Sequence, residues 1–174
     1  YCFYSVGGKY FSVGKEEGLN CYLGGEKNKN GTLLFGDSYA GHSEPFFDEI
    51  FKRRDQSLQS VSTNWCVASF SDSFTGSRES LAYKQCLINR NFLKKNLGDY
   101  KNLILAGAWD SALEKGQLFE TEEVISAAAG MGLNVFIMSA PVKYKKNPLN
   151  LFYRSFYFGR KFDIDAIPHD DDLR

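Results

Sequence analysis

Short apolar runs alternate along the chain with longer amphipathic segments. The runs with the length of a β-strand cover residues 32–35, 58–63, 102–106 and 134–138. The second run alternates apolar and polar residues, whereas the runs at residues 32–35 and 102–106 are mostly apolar, as in strands that are buried on both faces. The segments that predict helices cover residues 39–54, 81–97 and 121–131. This alternation predicts a three-layer α/β/α sandwich with a parallel sheet.

Residue types at the ends of the predicted helices support these boundaries. Lys52, Arg53 and Arg54 close the first helix, where the helix dipole favours positive charge. Gly98 ends the second helix, and Thr121 is the predicted N-cap of the third.

Residues 1–31 are rich in Gly, Lys and Asn and show no sustained period, so they predict an irregular lead-in. The length of the chain predicts a single domain over residues 1–174.

The chain has 21 basic and 21 acidic residues and no net charge, which argues against a nucleic-acid partner. No apolar run approaches the roughly 20 residues that span a bilayer, and no cleavable signal is visible. We therefore expect any export to be directed by sequence N-terminal to this segment.

The four cysteines, Cys2, Cys21, Cys66 and Cys86, form no CxxC pair and have no histidine ladder nearby, so no metal site is expected. Four cysteines allow three disulfide pairings. We favour Cys2–Cys21 and Cys66–Cys86, because each bond closes a loop rich in Gly, Ser and Asn. Disulfides imply an oxidising compartment, and the alternative is four buried thiols in a cytosolic protein.

The tripeptide Gly36-Asp37-Ser38 lies directly after the first predicted strand and before a helix. Ligands of open α/β sheets bind at the carboxyl ends of the strands, so Ser38 is expected to face that crevice. Helix N-terminal N–H groups can stabilise a developing oxyanion, and Gly36 lets the chain turn without a Cβ clash. The alternative is that Ser38 only caps the helix.

The sequence from Gly31 to His42, GTLLFGDSYAGH, resembles the first motif block of the SGNH (GDSL-like) hydrolase superfamily. It is most similar to the C-terminal SGNH domain fused to bacterial acyltransferase-3 membrane proteins, whose block is typically GDSHAxH; here Tyr39 replaces the first histidine. Further blocks follow in order. They are Thr63-Asn64-Trp65-Cys66 with Cys86 as its partner, LILAGAW at residues 103–109, and a strand and proline turn from Val135 to Pro141.

The resemblance implies an SGNH/flavodoxin-like sandwich in which Ser38 is the nucleophile that carries an acyl group. Its N–H would be one oxyanion donor, and an N–H near Asn64 or Trp65 would be another. The asparagine that the superfamily places in its third block is absent, and Ala108-Trp109 stands in that region. Gly36, Asp37 and Trp109 would support the site.

A serine nucleophile needs a base, which the superfamily supplies from a late Asp-x-x-His block. The sequence has two histidines, His42 and His169. His42 lies four residues after Ser38 on the same predicted helix face, and we assign it a supporting role. His169 with Asp165 is the candidate base pair, but Asp165-Ala166-Ile167-Pro168-His169 is one residue too long. We expect the chain to stop short of the family's true block.

The aromatic residues between Leu151 and Phe158 allow two interpretations. Aromatic faces could line a groove for sugar, but such residues more often form a core or a domain interface.

The resemblance implies an extracytoplasmic O-acyltransferase that O-acetylates a cell-surface polysaccharide such as lipopolysaccharide O-antigen. An N-terminal membrane acyltransferase-3 domain would deliver the acyl group, so this segment would be the periplasmic domain of an inner-membrane protein. No cofactor is expected. The alternatives are a carbohydrate esterase on the same fold and a non-catalytic carbohydrate-binding module on a degenerate SGNH scaffold. A plain flavodoxin-like domain is disfavoured, because the loop after the first strand lacks a phosphate cradle.

Overall fold

The computed structural model of the protein describes residues 2–3, 19–27, 31–140 and 144–168. The chain divides into two compact units, Tyr1–Ala140 and Pro141–Arg174.

The first unit contains a five-stranded mixed sheet with the order β1-β3-β2-β4-β5. The strands are β1 (Tyr22–Gly24), β2 (Thr32–Gly36), β3 (Ser57–Ser62), β4 (Asn102–Ala106) and β5 (Asn134–Ile137). The four strands predicted from the sequence, β2 to β5, are parallel to one another. The predicted α/β fold with a mostly parallel sheet is therefore confirmed.

Strand β1 corrects the prediction of an irregular lead-in over residues 1–31. It pairs antiparallel with β3 at the edge of the sheet. Three residues are too few to show a period of two in the sequence. The strand is held by tertiary contacts, including a hydrogen bond from the Gly24 N–H to Asp48 Oδ1 of 2.8 Å.

The second predicted strand is buried along its whole length. Although its apolar and polar residues alternate, all six residues of β3 are buried. Helices cover both faces of a sheet of this kind, so polar side chains in β3 need partners inside the protein. Ser60 and Ser62 donate to Glu44, and Gln59 accepts from the Tyr100 hydroxyl at 2.6 Å.

Helices pack on both faces of the sheet. In the first unit they are α1 (Ser38–Arg53), α2 (Leu81–Asn96), α3 (Trp109–Glu114) and α4 (Leu118–Gly130). One face packs against α2 and α4 through a core that includes Leu33, Leu103, Leu93 and Val124. The other face packs against α1 through a core that includes Leu34, Ile104, Ala40 and Phe47. These layers form the predicted sandwich.

Thr121 does not cap a helix, which corrects the third helix prediction. Helix α4 begins at Leu118 with Gln117 at its N-cap, and the short helix α3 precedes it. Thr121 lies inside α4, and its hydroxyl donates to the Ala68 carbonyl at 2.9 Å. The Thr121 hydroxyl therefore bonds to a neighbouring loop from inside α4 instead of capping the helix.

Both predicted disulfides are present. The Cys2–Cys21 and Cys66–Cys86 S–S distances are 2.07 Å and 2.06 Å. The first joins the start of the chain to the residue before β1. The second joins the loop after β3 to α2, so it anchors one wall of the crevice described below.

Glu44 of α1 is a fully buried carboxyl that the sequence analysis did not single out. One carboxylate oxygen accepts from the Cys2 and Phe3 N–H groups at 2.8 and 3.1 Å. The other accepts from the Ser60 and Ser62 hydroxyls at 2.7 and 3.2 Å. Burial raises the pKa of Glu44 above its ordinary value of 4.5, although these hydrogen bonds oppose the shift.

Glu44 should make the stability of the protein depend on pH. The folded protein holds the Glu44 proton more tightly than the unfolded chain does, so the free energy of unfolding should fall as the pH rises from 4.5 through the raised pKa. Glu44→Gln should remove the contribution of Glu44 to this slope, because an amide does not titrate in this range. The amide can still accept from the backbone and donate to the serines. Urea unfolding between pH 4 and 7 measures the slope. Glu49→Gln, an exposed change on the same helix, should keep it, and an unchanged slope in Glu44→Gln would contradict the assignment.

The second unit contains α5 (Pro148–Tyr157), which Asn147 caps by accepting from the Leu149 and Asn150 N–H groups. None of the residues of α5 is buried, and Phe156 and Tyr157 are 78% and 83% exposed. The interpretation of this aromatic segment as core is therefore wrong. Its roles as an interface or a sugar groove stay predictions. Within the described residues, no helix combines the length and the hydropathy that crossing a bilayer requires.

Candidate active site

The loops after β2, β3 and β4 lie beside one another at the carboxyl ends of these parallel strands. Gly36, at the end of β2, pairs with Ser62 of β3 on one side and with Ala106 of β4 on the other. The chain moves from β2 outward to β3 and later returns to β4 on the opposite side of β2. The end of β2 is therefore the topological switch point, where α/β sheets form their ligand crevice. Ser38 lies two residues beyond it.

Gly36 is required by close packing as well as by the turn. A Cβ at this position would lie 1.8 Å from the Ala106 carbonyl oxygen and 3.1 Å from the Ala40 Cβ. The missing side chain lets β4 pair closely with β2 while α1 begins immediately beyond it.

Asp37 is the N-cap of α1, so the alternative that Ser38 only caps the helix is wrong. One oxygen of the buried carboxylate accepts from the Tyr39 N–H at 2.9 Å. The other accepts from the Ala108 N–H at 2.8 Å, which ties the loop after β4 to the helix. Burial raises the pKa of Asp37, although the N–H groups of Ala108 and Tyr39 oppose the shift.

Ser38 is the first residue of α1 and is half-buried at the crevice. Because Asp37 takes the capping role, neither the Ser38 hydroxyl nor its N–H is hydrogen-bonded to another described residue. A helix N-terminus leaves its first N–H groups without partners inside the helix, and these attract negative charge. The same residue thus presents a hydroxyl and an N–H that bond to no other described residue, at the N-terminus of α1.

The loop after β3 supplies the neighbouring wall of the crevice. The Thr63 N–H donates to the Gly36 carbonyl at 3.3 Å, which continues the pairing of β2 and β3 by one residue. Asn64 is half-buried, and Trp65 is exposed with a left-handed backbone φ of 58°. The Trp65 N–H donates to no other residue in the described ranges, so it stays a candidate second oxyanion donor.

The loop after β4 lacks the superfamily's asparagine, and its residues hold neighbouring segments in place instead. The Ala108 N–H is taken by Asp37, and the Trp109 N–H donates to the Gly107 carbonyl at 2.9 Å. The Trp109 indole N–H donates to the Met138 carbonyl at 2.7 Å and so fixes the segment after β5. Trp109 therefore orders the rim of the crevice.

Of the two histidines, the structure describes His42. His42 is exposed on α1, and its ring contacts the edge of the Tyr39 ring at a centroid distance of 6.4 Å. The supporting role assigned to it stays a prediction. Asp165 lies exposed in the second unit, where its N–H donates to Asp163 Oδ1 at 3.0 Å. His169 lies outside the described residues, so the pair stays a prediction.

A buried ionic network that the sequence analysis missed holds the serine-rich loop after β3. Glu120 of α4 accepts hydrogen bonds from the hydroxyls of Ser69, Ser71 and Ser73. Burial opposes ionisation, but these hydrogen bonds and the charge of Arg90 hold the pKa of Glu120 below its ordinary value. The spacing of the three serines is the signal that could have indicated a shared acceptor.

No cation site borders Ser38 in the part of the chain that the structure describes. No group of three or more His, Cys, Asp and Glu side chains there could hold a metal ion. One cleft of about 390 Å³ lies at the opposite end of the sheet and is lined by Thr32, Ser57 and Asn102 among others.

The mostly parallel sheet with a glycine-aspartate-serine turn at its switch point defines an SGNH-type α/β domain. The chain belongs to the family described as the SGNH domain fused to AT3 domains, whose model matches residues 4–171. No curated protein matches the sequence. Membership of this family supports a hydrolase or acyltransferase role and links the domain to a membrane acyltransferase.

A solved structure of the periplasmic domain of a lipopolysaccharide acetyltransferase from Salmonella ser. Paratyphi A has the same fold. The TM-score is 0.61 at 13% sequence identity, and the match covers 85% of this chain. The chain spans 59% of the length of that neighbour, so the similarity shows the fold and leaves the activity to be argued from the site.

Proposed function

We propose that this chain is the extracytoplasmic acyl-transfer domain of an AT3-fused membrane protein and that it O-acetylates a cell-surface polysaccharide through an acyl-enzyme on Ser38. The observation that carries the proposal is the state of Ser38: its hydroxyl and N–H have no partner among the described residues, at the N-terminus of α1 and at the switch point of the sheet. The family's AT3 fusion supports delivery of the acetyl group by a membrane domain. The neighbour's periplasmic location and the two disulfides support an oxidising compartment.

The chemistry has two steps. The Ser38 Oγ attacks the acetyl carbonyl of the donor and a base takes the serine proton, while the Ser38 N–H and the Trp65 N–H stabilise the oxyanion. The bond between the acetyl carbon and the donor then breaks, and the donor group leaves with the proton that the base holds. A sugar hydroxyl next attacks the acetyl-serine and gives its proton to the base, and the Ser38 Oγ leaves and takes that proton back. The proposed base is His169 with Asp165. An esterase would use the same acyl-enzyme with water as the attacking group.

A non-catalytic carbohydrate-binding module is the second candidate function. It is favoured by the loop after β4, where Ala108-Trp109 stands in place of the superfamily's asparagine and the Ala108 N–H is taken by Asp37. In that case Ser38 would never carry an acyl group.

Trapping the intermediate separates the two functions. The full-length membrane protein, supplied with its acetyl donor and no acceptor, should accumulate acetyl-serine in the peptide that contains Ser38, as measured by mass spectrometry. Addition of de-O-acetylated surface polysaccharide from the source organism should discharge it. A Ser38 peptide that stays unmodified while the polysaccharide becomes acetylated would contradict the acyl-enzyme.

A further inference from the structure

Trp65 exposes much of its indole although the residues around it are tightly fixed. Its side chain is 47% exposed, whereas the next residue, Cys66, is fully buried and is bonded to Cys86 of α2. Other aromatic side chains of this unit are also exposed, including Phe46 and Phe119 at 59% and 57%. Trp65 differs from them in its backbone conformation and in the support behind its ring.

The backbone of Trp65 is held in a conformation that a bulky residue rarely adopts. Its φ of 58° lies in the left-handed region, where glycine and asparagine are favoured. Such strain persists only where the surroundings enforce it, and it is concentrated at functional sites. Here the Thr75 hydroxyl donates to the Trp65 carbonyl at 2.9 Å, and the Cys66–Cys86 bond holds the following residue.

The loop after β3 supports the indole from behind. A Cβ on Gly76 would lie 2.8 Å from the indole Cγ and Cδ2, so only glycine fits against the ring there. The Phe74 ring contacts the indole at 82° with a centroid distance of 6.4 Å. The indole N–H donates to no other described residue and is free to meet a ligand.

Trp65 lies close to Ser38 along the edge of the sheet. Ser62 pairs with Gly36, so Trp65 and Ser38 follow paired residues on adjacent strands by three and two positions. At about 3.3 Å per extended residue and about 4.8 Å between paired strands, the two lie within roughly 21 Å of each other. A polysaccharide whose hydroxyl reaches Ser38 extends past Trp65 within a few sugar residues.

We propose that Trp65 is a stacking surface for a sugar ring of the acceptor polysaccharide. The proposal rests on the proposed function and adds the subsite that holds the acceptor. The apolar C–H face of a pyranose packs on an aromatic ring, while its hydroxyls stay in water or accept from the indole N–H. A fixed indole binds at a low entropic cost, because neither its backbone nor its supporting loop has to be ordered on binding.

The test uses the full-length membrane protein and the de-O-acetylated surface polysaccharide of its source organism as acceptor. Trp65→Gly removes the ring and also relieves the left-handed backbone, so it tests the ring without adding strain. It should raise the acceptor KM about tenfold or more while kcat falls less, and Trp65→Phe should recover most of the loss. An acceptor KM in Trp65→Gly equal to that of the wild type overturns the proposal.

A second measurement does not depend on a variant that must fold. N-bromosuccinimide oxidises exposed tryptophan, and mass spectrometry follows the peptide that contains Trp65. The polysaccharide should slow oxidation of Trp65 severalfold. The half-buried Trp109 is the internal comparison. Unchanged oxidation of Trp65 at an acceptor concentration that saturates transfer overturns the proposal. Ser38→Ala keeps the two failures apart, since transfer in that variant would refute the acyl-enzyme, whereas the Trp65 results alone decide the subsite.

Discussion

Ser38→Ala should abolish acetyl transfer by the full-length protein, lowering turnover by about 10⁴-fold or more, as loss of a serine nucleophile does in other enzymes. The fold should be unaffected, because Asp37 caps α1 and the Ser38 hydroxyl bonds to no other described residue. Acetyl transfer to the polysaccharide and the melting temperature of the protein should be measured together. A large loss of activity at constant stability is the expected result.

Ser43→Ala is the matched control on the same helix. The Ser43 hydroxyl donates to the Tyr39 carbonyl at 2.8 Å, so this change removes a serine and a hydrogen bond one turn away from the site. Its activity should stay within about twofold of the wild type. Equal activity of the Ser38→Ala and wild-type proteins would exclude the acyl-enzyme and favour the binding module.

The parts of the fold that the sequence predicts are those with a strong local pattern. Strands β2 and β4 are short apolar runs buried on both faces, and α1 has an apolar face and a basic end. Strand β1 and the start of α4 were missed because distant contacts determine them. Gly24 is fixed by Asp48, and Thr121, a good capping residue by type, is drawn inside a helix by the Ala68 carbonyl.

The candidate site follows the same division. The position of Ser38 after a buried strand was predictable, since it depends on one strand, one turn and one helix. The second hydrogen bond of Asp37 was not, because its partner Ala108 is 71 residues away. The left-handed backbone of Trp65 was also hidden, because the Thr75 hydroxyl and the Cys66–Cys86 bond that hold it lie outside its local sequence.

Gly36→Ala should be the most destabilising single substitution at the site, lowering the free energy of unfolding by about 3 kcal/mol or more. The new Cβ would meet the Ala106 carbonyl oxygen at 1.8 Å, and a backbone atom inside a paired strand cannot move aside as a flexible side chain can. Strands β2 and β4 would have to separate where the Asp37 N–H donates to Ala106 at 3.3 Å. Ser38 would then lose its position as well.

Gly130→Ala separates this clash from the general effect of replacing glycine. Gly130 is the last residue of α4, and a Cβ there would meet nothing within 4 Å. Alanine is the better helix former and reduces the freedom of the unfolded chain, so this change should be neutral or stabilising by up to about 1 kcal/mol. Urea unfolding of the two variants should give changes in the free energy of unfolding that differ in sign or differ greatly in size. Equal small effects would mean that β2 and β4 can separate at Gly36 without loss of stability. The close approach of the two strands would then not explain the glycine before Asp37 and Ser38.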